Sequence, residues 1–207
     1  MTENNNITVK NIEPEHAPSI ARLHIKGIPT GFISSLGIKF VTALYGAIAD
    51  SKHSFGFVIE ENNRVIGFVA FTTDLNALYK SVILKSGFRF AILLAWKMLS
   101  WKKIKKVLET LFYPARIRKF ELPKAELLSI VIQEQARSKG LATRLIQKGL
   151  AELAKRNIEK VKIFAGADLQ PVNKLYQKLG ANLVRQMSSH GVLTNIYILR
   201  TDIFNQK

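Results

Sequence analysis

A chain of 207 residues with 47% hydrophobic and 22% charged residues has the size of one folded domain and is too apolar to be disordered. It contains no cysteine, which excludes a disulfide framework and a thiolate zinc site and fits a reducing compartment. The net charge of +16 favours an anionic partner, namely nucleic acid, an anionic membrane or a polyphosphate ligand, although a basic surface that only aids solubility explains it as well.

The sequence shows no signal for export or membrane insertion. Its first ten residues, MTENNNITVK, are polar and lack the apolar segment of a secretory signal. The longest apolar run, FAILLAWKML at residues 90–99, is too short to span a bilayer and contains Lys97. We therefore expect a basic cytoplasmic protein.

The first third of the chain predicts a strand, two helices and a hairpin. Residues 6–10 alternate as a short strand does. Helices are predicted at residues 14–27 and 38–50, with a loop that carries apolar side chains at 28–37 between them. Residues 54–74 predict a β-hairpin, because two β-rich runs flank the polar segment ENNR.

Residues 77–120 interrupt this order and predict a helical insert in two or more pieces. Two series of apolar residues recur within it at helical spacing, and each series contains one tryptophan. The stretch 80–124 holds twelve lysines and arginines but only two glutamates, so much of the excess positive charge is concentrated there.

The second half of the chain alternates strands and helices. AELLSIVI at residues 125–132 is too apolar to have a solvent-facing side, which is typical of a central strand. A helix at 141–157, a buried strand at 161–168, a short helix at 170–181 and a hairpin at 182–200 follow. This order predicts an α/β fold in which helices cover the faces of a mixed sheet.

The segment RSKGLA, residues 137–142, lies between the apolar strand and the helix that follows it. The first N–H groups of a helix lack intrahelical partners and carry the positive end of its dipole. Gly140 has no Cβ, so a phosphate can approach the backbone there, and Arg137 and Lys139 add positive charge. The segment therefore predicts a phosphate or pyrophosphate site.

The glycine patterns of two common nucleotide sites are absent, since neither G-x-x-x-x-G-K-[ST] nor G-x-G-x-x-G occurs. The pattern that remains is R-x-x-G-x-A, between a buried strand and a helix. It resembles the acyl-CoA loop [Q/R]-x-x-G-x-[G/A] of the GNAT superfamily, the Gcn5-related N-acetyltransferases.

A second motif strengthens this resemblance. The family's later strand leads into a short helix that ends in LY-x-K-LGF, and here the segment reads VNKLYQKLGA, with Leu175, Tyr176 and Gly180 in place. The chain departs from the family at Leu169, where an asparagine is common, and at Ala181, where a phenylalanine is usual. The resemblance covers most of the chain except residues 77–120.

The resemblance implies a single GNAT domain over residues 1–207, with residues 77–120 as an insert between strands 3 and 4. Its sheet would have about seven twisted, mostly antiparallel strands flanked by helices. The implied reaction transfers the acetyl group of acetyl-CoA to a primary amine, by direct attack in a ternary complex. The acceptor would be a small-molecule or peptide amine, and an amino sugar or a partly apolar amine suits the chain best.

Two proton transfers accompany this reaction, and the resemblance implies which residues perform them. Tyr176 matches the general acid of the family, although the spacing of the apolar residues around it also suits a core tyrosine. Glu126, near the start of an otherwise apolar strand, is the first candidate for the base, and a solvated glutamate at a strand end is the simpler alternative. Asp74 is the second candidate.

The resemblance also implies binding residues. The predicted cofactor contacts are Ile130, Val131, Ile132, Arg137, Ser138, Lys139, Gly140, Leu141, Ala142, Thr143, Asn173 and Tyr176. Backbone N–H groups near Ile130 and Ile132 would hold the pantetheine and polarise the thioester carbonyl. The predicted acceptor contacts are Thr30, Gly31, Phe32 and Asp74. The four histidines, His16, His24, His53 and His190, show no metal-ligand spacing, so we predict no metal and give them no role.

Other functions remain open at this stage. The charge suits a nucleic-acid-binding protein, but no RNP-like strand or helix-turn-helix pattern supports one. Residues 88–119 combine apolar bulk, two tryptophans and many lysines, so they could contact a membrane surface, cover the acceptor or form a homodimer contact. A helical excursion that only caps the core is the simplest reading of this segment. A GNAT-like module that binds CoA without catalysis is a further alternative.

Overall fold

The structure is a computed structural model that describes residues 7–95, 120–189 and 192–202. A sheet in the order β1-β2-β3-β4-β5-β7-β6 runs through these residues. Its strands are β1 (Ile7–Asn11), β2 (Ser54–Glu61), β3 (Arg64–Thr72), β4 (Glu126–Ile132), β5 (Lys160–Gly166), β6 (Asn182–Ser189) and β7 (Val192–Arg200). Neighbouring strands are antiparallel except β4 and β5, which are parallel. The predicted seven-stranded, mostly antiparallel sheet is confirmed.

The helices lie in the predicted order. They are α1 (Ala17–Gly27), α2 (Phe32–Ser35), α3 (Ile38–Ala49), α4 (Leu75–Ala95), α5 (Leu141–Lys155) and α6 (Gln170–Lys178). Single 3-10 turns precede α1 at Pro14–His16 and α5 at Glu134–Ala136. The helical insert between β3 and β4 is confirmed up to Ala95, and its remainder, residues 96–119, lies outside the described residues.

The prediction of a loop at residues 28–37 was wrong in its middle, where α2 forms one turn of helix. The Ser34 hydroxyl donates a hydrogen bond to the carbonyl of Ile28 at 2.6 Å, and Ser34 is buried. This local bond closes the turn, and apolar side chains such as Ile33 pack against the core beside it. Apolar residues in a predicted loop were the signal for a short helix.

Each face of the sheet has its own core because side chains alternate along a strand. Phe57 on β2 and Val69 on β3 pack with α5 and α6, whereas Val58 and Phe68, their neighbours in sequence, pack with α1 and α3. Full burial of side chains of this size stabilises the fold by about 1.5–3 kcal/mol each. The two cores hold α1 and α5 against opposite faces of the sheet that contains β4.

The insert leaves and rejoins the sheet at one place. The backbone N–H of Leu75, at the start of α4, donates to the carbonyl of Lys124 at 3.2 Å. The ammonium of Lys162 on β5 donates to the carbonyls of Pro123 at 2.6 Å and Lys124 at 3.0 Å. The start of β4 is therefore held against both β3 and β5.

Candidate active site

The parallel strands β4 and β5 are paired only at their beginnings. Glu126 lies opposite Lys162 and Leu127 lies opposite Ile163, and beyond this point the two strands are no longer paired. The register between β3 and β4 also shifts here, which leaves Leu128 as an extra residue on β4. A split thus opens in the middle of the sheet, on the side of β4 that faces β5.

The exposure of β4 shows that this split admits solvent. Leu128, Ser129 and Ile130 are partly exposed, although they lie in the centre of the sheet, while the residues on either side of them are buried. The predicted cofactor residues Ile130, Val131 and Ile132 therefore lie on the free edge of β4. Backbone N–H groups on such an edge are available to a ligand.

Residues 137–140 follow β4 and form the turn into α5. Gly140 has a φ of 73°, in the left-handed region that favours glycine, and apart from its chain neighbours no other residue lies within 4 Å of the position that a Cβ would take. Ser138 is also left-handed, with a φ of 63°. The backbone at the start of α5 is consequently open to a ligand, at the positive end of the helix dipole.

Some side chains around this turn hold it in place, and others are exposed to solvent. Nε of Arg137 donates to the carbonyl of Ile132 at 3.1 Å, which ties the turn to the end of β4. Leu141 is buried in the core, while Lys139 is exposed and Ala142 and Thr143 are partly exposed. The hydrogen bond of Arg137 gives it a structural role in addition to the positive charge that the sequence predicts.

Glu126 is buried beside a buried lysine. Its Oε2 has no hydrogen-bond partner and lies 3.6 Å from Nζ of Lys162, which is 2% exposed. Burial raises the pKa of Glu126 to about 7, because the loss of hydration outweighs the attraction of Lys162. Burial also lowers the pKa of Lys162. A carboxyl group with this pKa exchanges protons readily near neutral pH.

Asp74, the second candidate for the base, immediately precedes α4. Its Oδ1 accepts a hydrogen bond from the N–H of Ala77 at 3.0 Å, which is the bond made by a helix N-cap residue. The negative charge of Asp74 also helps to keep Lys162 protonated. These contacts give Asp74 a structural role near the buried pair.

Tyr176 lies on the buried side of α6, where it is 3% exposed. Its ring contacts the ring of Tyr197 at a centroid distance of 6.0 Å. Burial raises the pKa of Tyr176 above its ordinary value, so the phenol keeps its proton at neutral pH. The protonated phenol can act as a general acid, although burial makes it a weaker proton donor than an exposed tyrosine.

Asn173, one turn before Tyr176, already uses its full hydrogen-bonding capacity within the fold. Its Nδ2 donates to the carbonyls of Gly166 and Leu169, each at 2.8 Å. Its Oδ1 accepts hydrogen bonds from Asn195 and Tyr197, each at 2.9 Å. These bonds fasten α6 to β5 and β7, so the side chain could contact a cofactor only by giving up one of them.

The predicted acceptor residues Thr30, Gly31 and Phe32 lie together just before and at the start of α2. Thr30 is exposed, and Gly31 and Phe32 are partly exposed. The N–H of Gly31 donates to the carbonyl of Ile28 at 3.1 Å, which shapes the turn. The structure thus keeps these three residues at the surface between α1 and α3.

Three polar residues to which the sequence assigned no role, His24, Tyr45 and Ser129, lie together on the α1 side of the split. Nδ1 of His24 lies 2.8 Å from the hydroxyl of Tyr45 and 3.5 Å from the hydroxyl of Ser129. They come from α1, α3 and β4, so no local spacing connects them. The available signal was a single serine within a strand of apolar residues and a histidine on the apolar side of a helix.

Among the residues that the structure describes, no three histidine, aspartate or glutamate side chains are grouped so as to hold a metal ion. Within ranges 7–95, 120–189 and 192–202, no helix combines the length and apolar character needed to cross a bilayer.

Solved structures show where this fold occurs. An N-acetyltransferase from Staphylococcus aureus Mu50 shares 17% identity at a TM-score of 0.63, over 95% of this chain and 99% of that one. The protein yncA of Salmonella typhimurium, solved with its cofactor acetyl-CoA, shares 15% identity at a TM-score of 0.63, over 95% of each chain. Arabidopsis thaliana NAA60 in complex with acetyl-CoA shares 13% identity at a TM-score of 0.61, over 94% of this chain and 98% of that one. At such identities the likeness supports the fold.

Sequence comparison identifies the family itself. The profile of the acetyltransferase (GNAT) family matches residues 30–181, whereas a comparison with curated proteins found no match. The matched range contains the strand split, the open turn at Gly140 and the helix of Tyr176. The chain therefore belongs to the GNAT family of acetyltransferases.

Proposed function

We propose that this protein is an N-acetyltransferase that moves the acetyl group of acetyl-CoA to a primary amine in a ternary complex. The observation that carries the proposal is the split between β4 and β5, followed directly by the open left-handed turn at Gly140. The split offers free backbone on β4, and the turn offers the start of a helix. Together they suit a ligand that has an extended amide-containing arm and a pyrophosphate.

The described residues fit acetyl-CoA. The free edge of β4 at Ile130 to Ile132 would hold the pantetheine, and the turn Arg137–Gly140 with the first residues of α5 would hold the pyrophosphate. Bound acetyl-CoA supplies an activated acetyl group, so that the amine nitrogen bonds to the carbonyl carbon, the carbon–sulfur bond breaks, the nitrogen loses a proton and the thiolate gains one. Lys139, which is exposed, adds positive charge beside the phosphates.

Glu126 and Tyr176 would carry the two proton transfers. Glu126 would take the proton of the amine through a water molecule, since its Oε2 is buried and lacks a hydrogen-bond partner. Its pKa of about 7 matches this task at neutral pH. Tyr176, whose phenol stays protonated, would give a proton to the leaving thiolate.

The acceptor would be a small-molecule or peptide amine. The net charge of +16 disfavours polycationic acceptors, because like charges repel at encounter. An anionic acceptor such as a nucleotide-linked amino sugar, or an amine with an apolar portion, suits the surface better. Phe32 at the start of α2 is partly exposed and could contact such an apolar portion.

A thermal melt with and without acetyl-CoA tests the proposal. A ligand at about 100 times its Kd adds about 2.7 kcal/mol of stability. For a domain of this size we expect the Tm to rise by about 5–10 °C. The rise should disappear in Gly140→Glu, which places a negative charge where the pyrophosphate would bind, and persist in the distant control Lys52→Glu. An unchanged Tm at millimolar acetyl-CoA would rule out the proposal.

A peripheral membrane contact is a second candidate function, and the exposure of α4 favours it. Leu84 is 85% exposed and Phe88 is 82% exposed, and Lys85 lies beside them. An apolar side flanked by lysines is typical of helices that bind anionic membrane surfaces. Co-sedimentation with anionic liposomes, but not with neutral ones, is the expected result, and absence from both pellets would exclude this contact.

A further inference from the structure

Ser129 is the polar residue in the exposed centre of β4. It lies two residues beyond Leu127, the last residue of β4 that pairs with β5, and is flanked by Leu128 and Ile130. On the other edge of β4 it lies opposite Ala70 of β3. Ser129 therefore places a hydroxyl group at the point where the sheet opens, between two apolar neighbours along the strand.

His24 and Tyr45 stand behind this hydroxyl. The distance from Nδ1 of His24 to the Tyr45 hydroxyl is 2.8 Å, and the distance from Nδ1 to the Ser129 hydroxyl is 3.5 Å. His24 is 7% exposed and Tyr45 is 2% exposed. The ring of Tyr45 also contacts Phe68 edge-on, at a centroid distance of 5.2 Å. Buried polar groups are costly unless they are hydrogen-bonded, so these contacts hold the trio in one arrangement.

The trio is uncharged at neutral pH. Burial lowers the pKa of His24 to about 4, so the imidazole is neutral. Burial raises the pKa of Tyr45, and a hydrogen bond from Ser129 offsets only part of that increase, so the phenol is neutral too. A neutral imidazole has one donor and one acceptor nitrogen. Whichever direction the hydrogen bonds take, the Ser129 oxygen keeps a lone pair for a ligand.

We propose that Ser129 accepts a hydrogen bond from the N–H of the acceptor amine in the split, and that His24 and Tyr45 position its hydroxyl. This inference rests on the acetyltransferase function proposed above. It assigns Ser129 to the acceptor, apart from the cofactor residues, and selects a primary amine in its neutral form. One N–H then bonds to Ser129, while the nitrogen lone pair remains free to attack.

The trio positions the amine and does not remove its proton. An imidazole as weakly basic as His24 cannot hold a proton at neutral pH, so a relay through Tyr45 would have no end point. Glu126, three residues earlier on β4, has the higher proton affinity. Binding of the amine and loss of its proton are thus assigned to different residues of the same strand.

The test uses the full chain with hydroxylamine as the acceptor, because this small primary amine is largely uncharged at neutral pH. Release of CoA from acetyl-CoA is measured with a thiol reagent, and the rate without protein is subtracted. In Ser129→Ala we expect the KM for hydroxylamine to rise about fivefold to tenfold, the effect of one lost hydrogen bond. The Tm rise caused by acetyl-CoA should stay unchanged.

Three further variants separate positioning from a merely structural role. Ser129→Thr keeps the hydroxyl and should restore the KM for hydroxylamine. Tyr45→Phe keeps the ring and its contact with Phe68 but removes the hydroxyl that lies 2.8 Å from Nδ1 of His24, so the KM should rise by a smaller factor. Ser19→Ala, on the same helix as His24, is the matched control and should leave the KM unchanged.

Each other outcome has a definite meaning. A KM in Ser129→Ala within twofold of the parent value would overturn the inference. Loss of the acetyl-CoA effect in that variant would also overturn it, because Ser129 would then serve the cofactor. A parent protein that binds acetyl-CoA but does not use hydroxylamine would count against an accessible amine site at Ser129. If the parent does not bind acetyl-CoA, the proposed function itself fails.

Discussion

Glu126 owes its chemistry to its position between two neighbouring strands. It lies between Thr72 of β3 and Lys162 of β5, and it is 7% exposed. The ammonium of Lys162 donates hydrogen bonds to two backbone carbonyls. It therefore stays 3.6 Å from Oε2 of Glu126 and compensates its charge only in part. The carboxyl group thus stays protonated to a higher pH than an exposed glutamate would.

This environment predicts how activity depends on pH. A base acts when deprotonated, so kcat/KM calculated per uncharged hydroxylamine should rise with pH through about 7, the pKa of Glu126, and then level off. In Glu126→Gln, we expect kcat to fall by a factor of about 10²–10⁴ and the dependence near pH 7 to disappear. Stopped assays from pH 5.5 to 8.5 measure both effects.

The control for this prediction is the matched variant Glu60→Gln on β2, which β3 separates from β4, and this variant should keep the parental pH profile. Glu60 is 8% exposed and forms an ion pair with Lys10 of β1 at 2.6 Å, so it lies on the far side of β3 from the split. If Glu126→Gln kept the same pH profile as the parent, the base would have to be another group.

Tyr176 allows a test that spares the fold. The change Tyr176→Phe keeps the ring that packs against Tyr197 and removes only the hydroxyl. We expect kcat to fall by a factor of about 10² or more, because the thiolate would leave without a proton donor. The Tm should stay within a few degrees of the parent, and the Tm rise caused by acetyl-CoA should persist. If kcat did not fall, water rather than Tyr176 would be the proton donor to the leaving thiolate.

At the scale of elements, the turn before α5 joins the free end of β4 to the start of a helix. Gly140 stands at this junction in a left-handed conformation, and the space beside it is open. Gly140 therefore has two effects: it allows the left-handed backbone of the turn, and it leaves space for a ligand beside it. These two contributions can be separated by substitution.

Two substitutions at Gly140 make the separation. Gly140→Ala should destabilise the fold by about 1 kcal/mol, because alanine is strained in the left-handed region. Gly140→Asn should cost less, since asparagine tolerates that region, yet its side chain would fill the open space. We expect the asparagine variant to lose more acetyl-CoA affinity than stability. Melts and titrations with acetyl-CoA measure the two effects, and unchanged affinity in both variants would move the phosphate site elsewhere.

The elements could be predicted from the sequence better than the site could. β4 is apolar on both faces and α5 has a regular apolar stripe, so local periodicity reveals both. Nothing local shows that β4 pairs with β5 at only two positions, since that depends on how the whole sheet packs. Likewise, the bonds from Asn173 to Asn195 and Tyr197 join distant parts of the chain.

The whole molecule carries a strong positive field. The net charge is +16, and it includes the exposed Lys139 and Arg144 beside the open turn. Such a field attracts anionic ligands before any specific contact forms. For acetyl-CoA, with its several phosphate charges, the field and the turn act in the same direction.

This attraction should depend on ionic strength. Charges separated by more than the Debye length, about 10 Å at 0.1 M salt, are largely screened from each other. We expect the KM for acetyl-CoA to rise severalfold between 20 and 300 mM sodium chloride, while kcat and the KM for uncharged hydroxylamine change little. Steady-state assays across this range provide the measurement. If the KM for acetyl-CoA did not change with salt, the positive field would serve a different anionic partner, and a salt-dependent gel shift with nucleic acid would then be the next measurement.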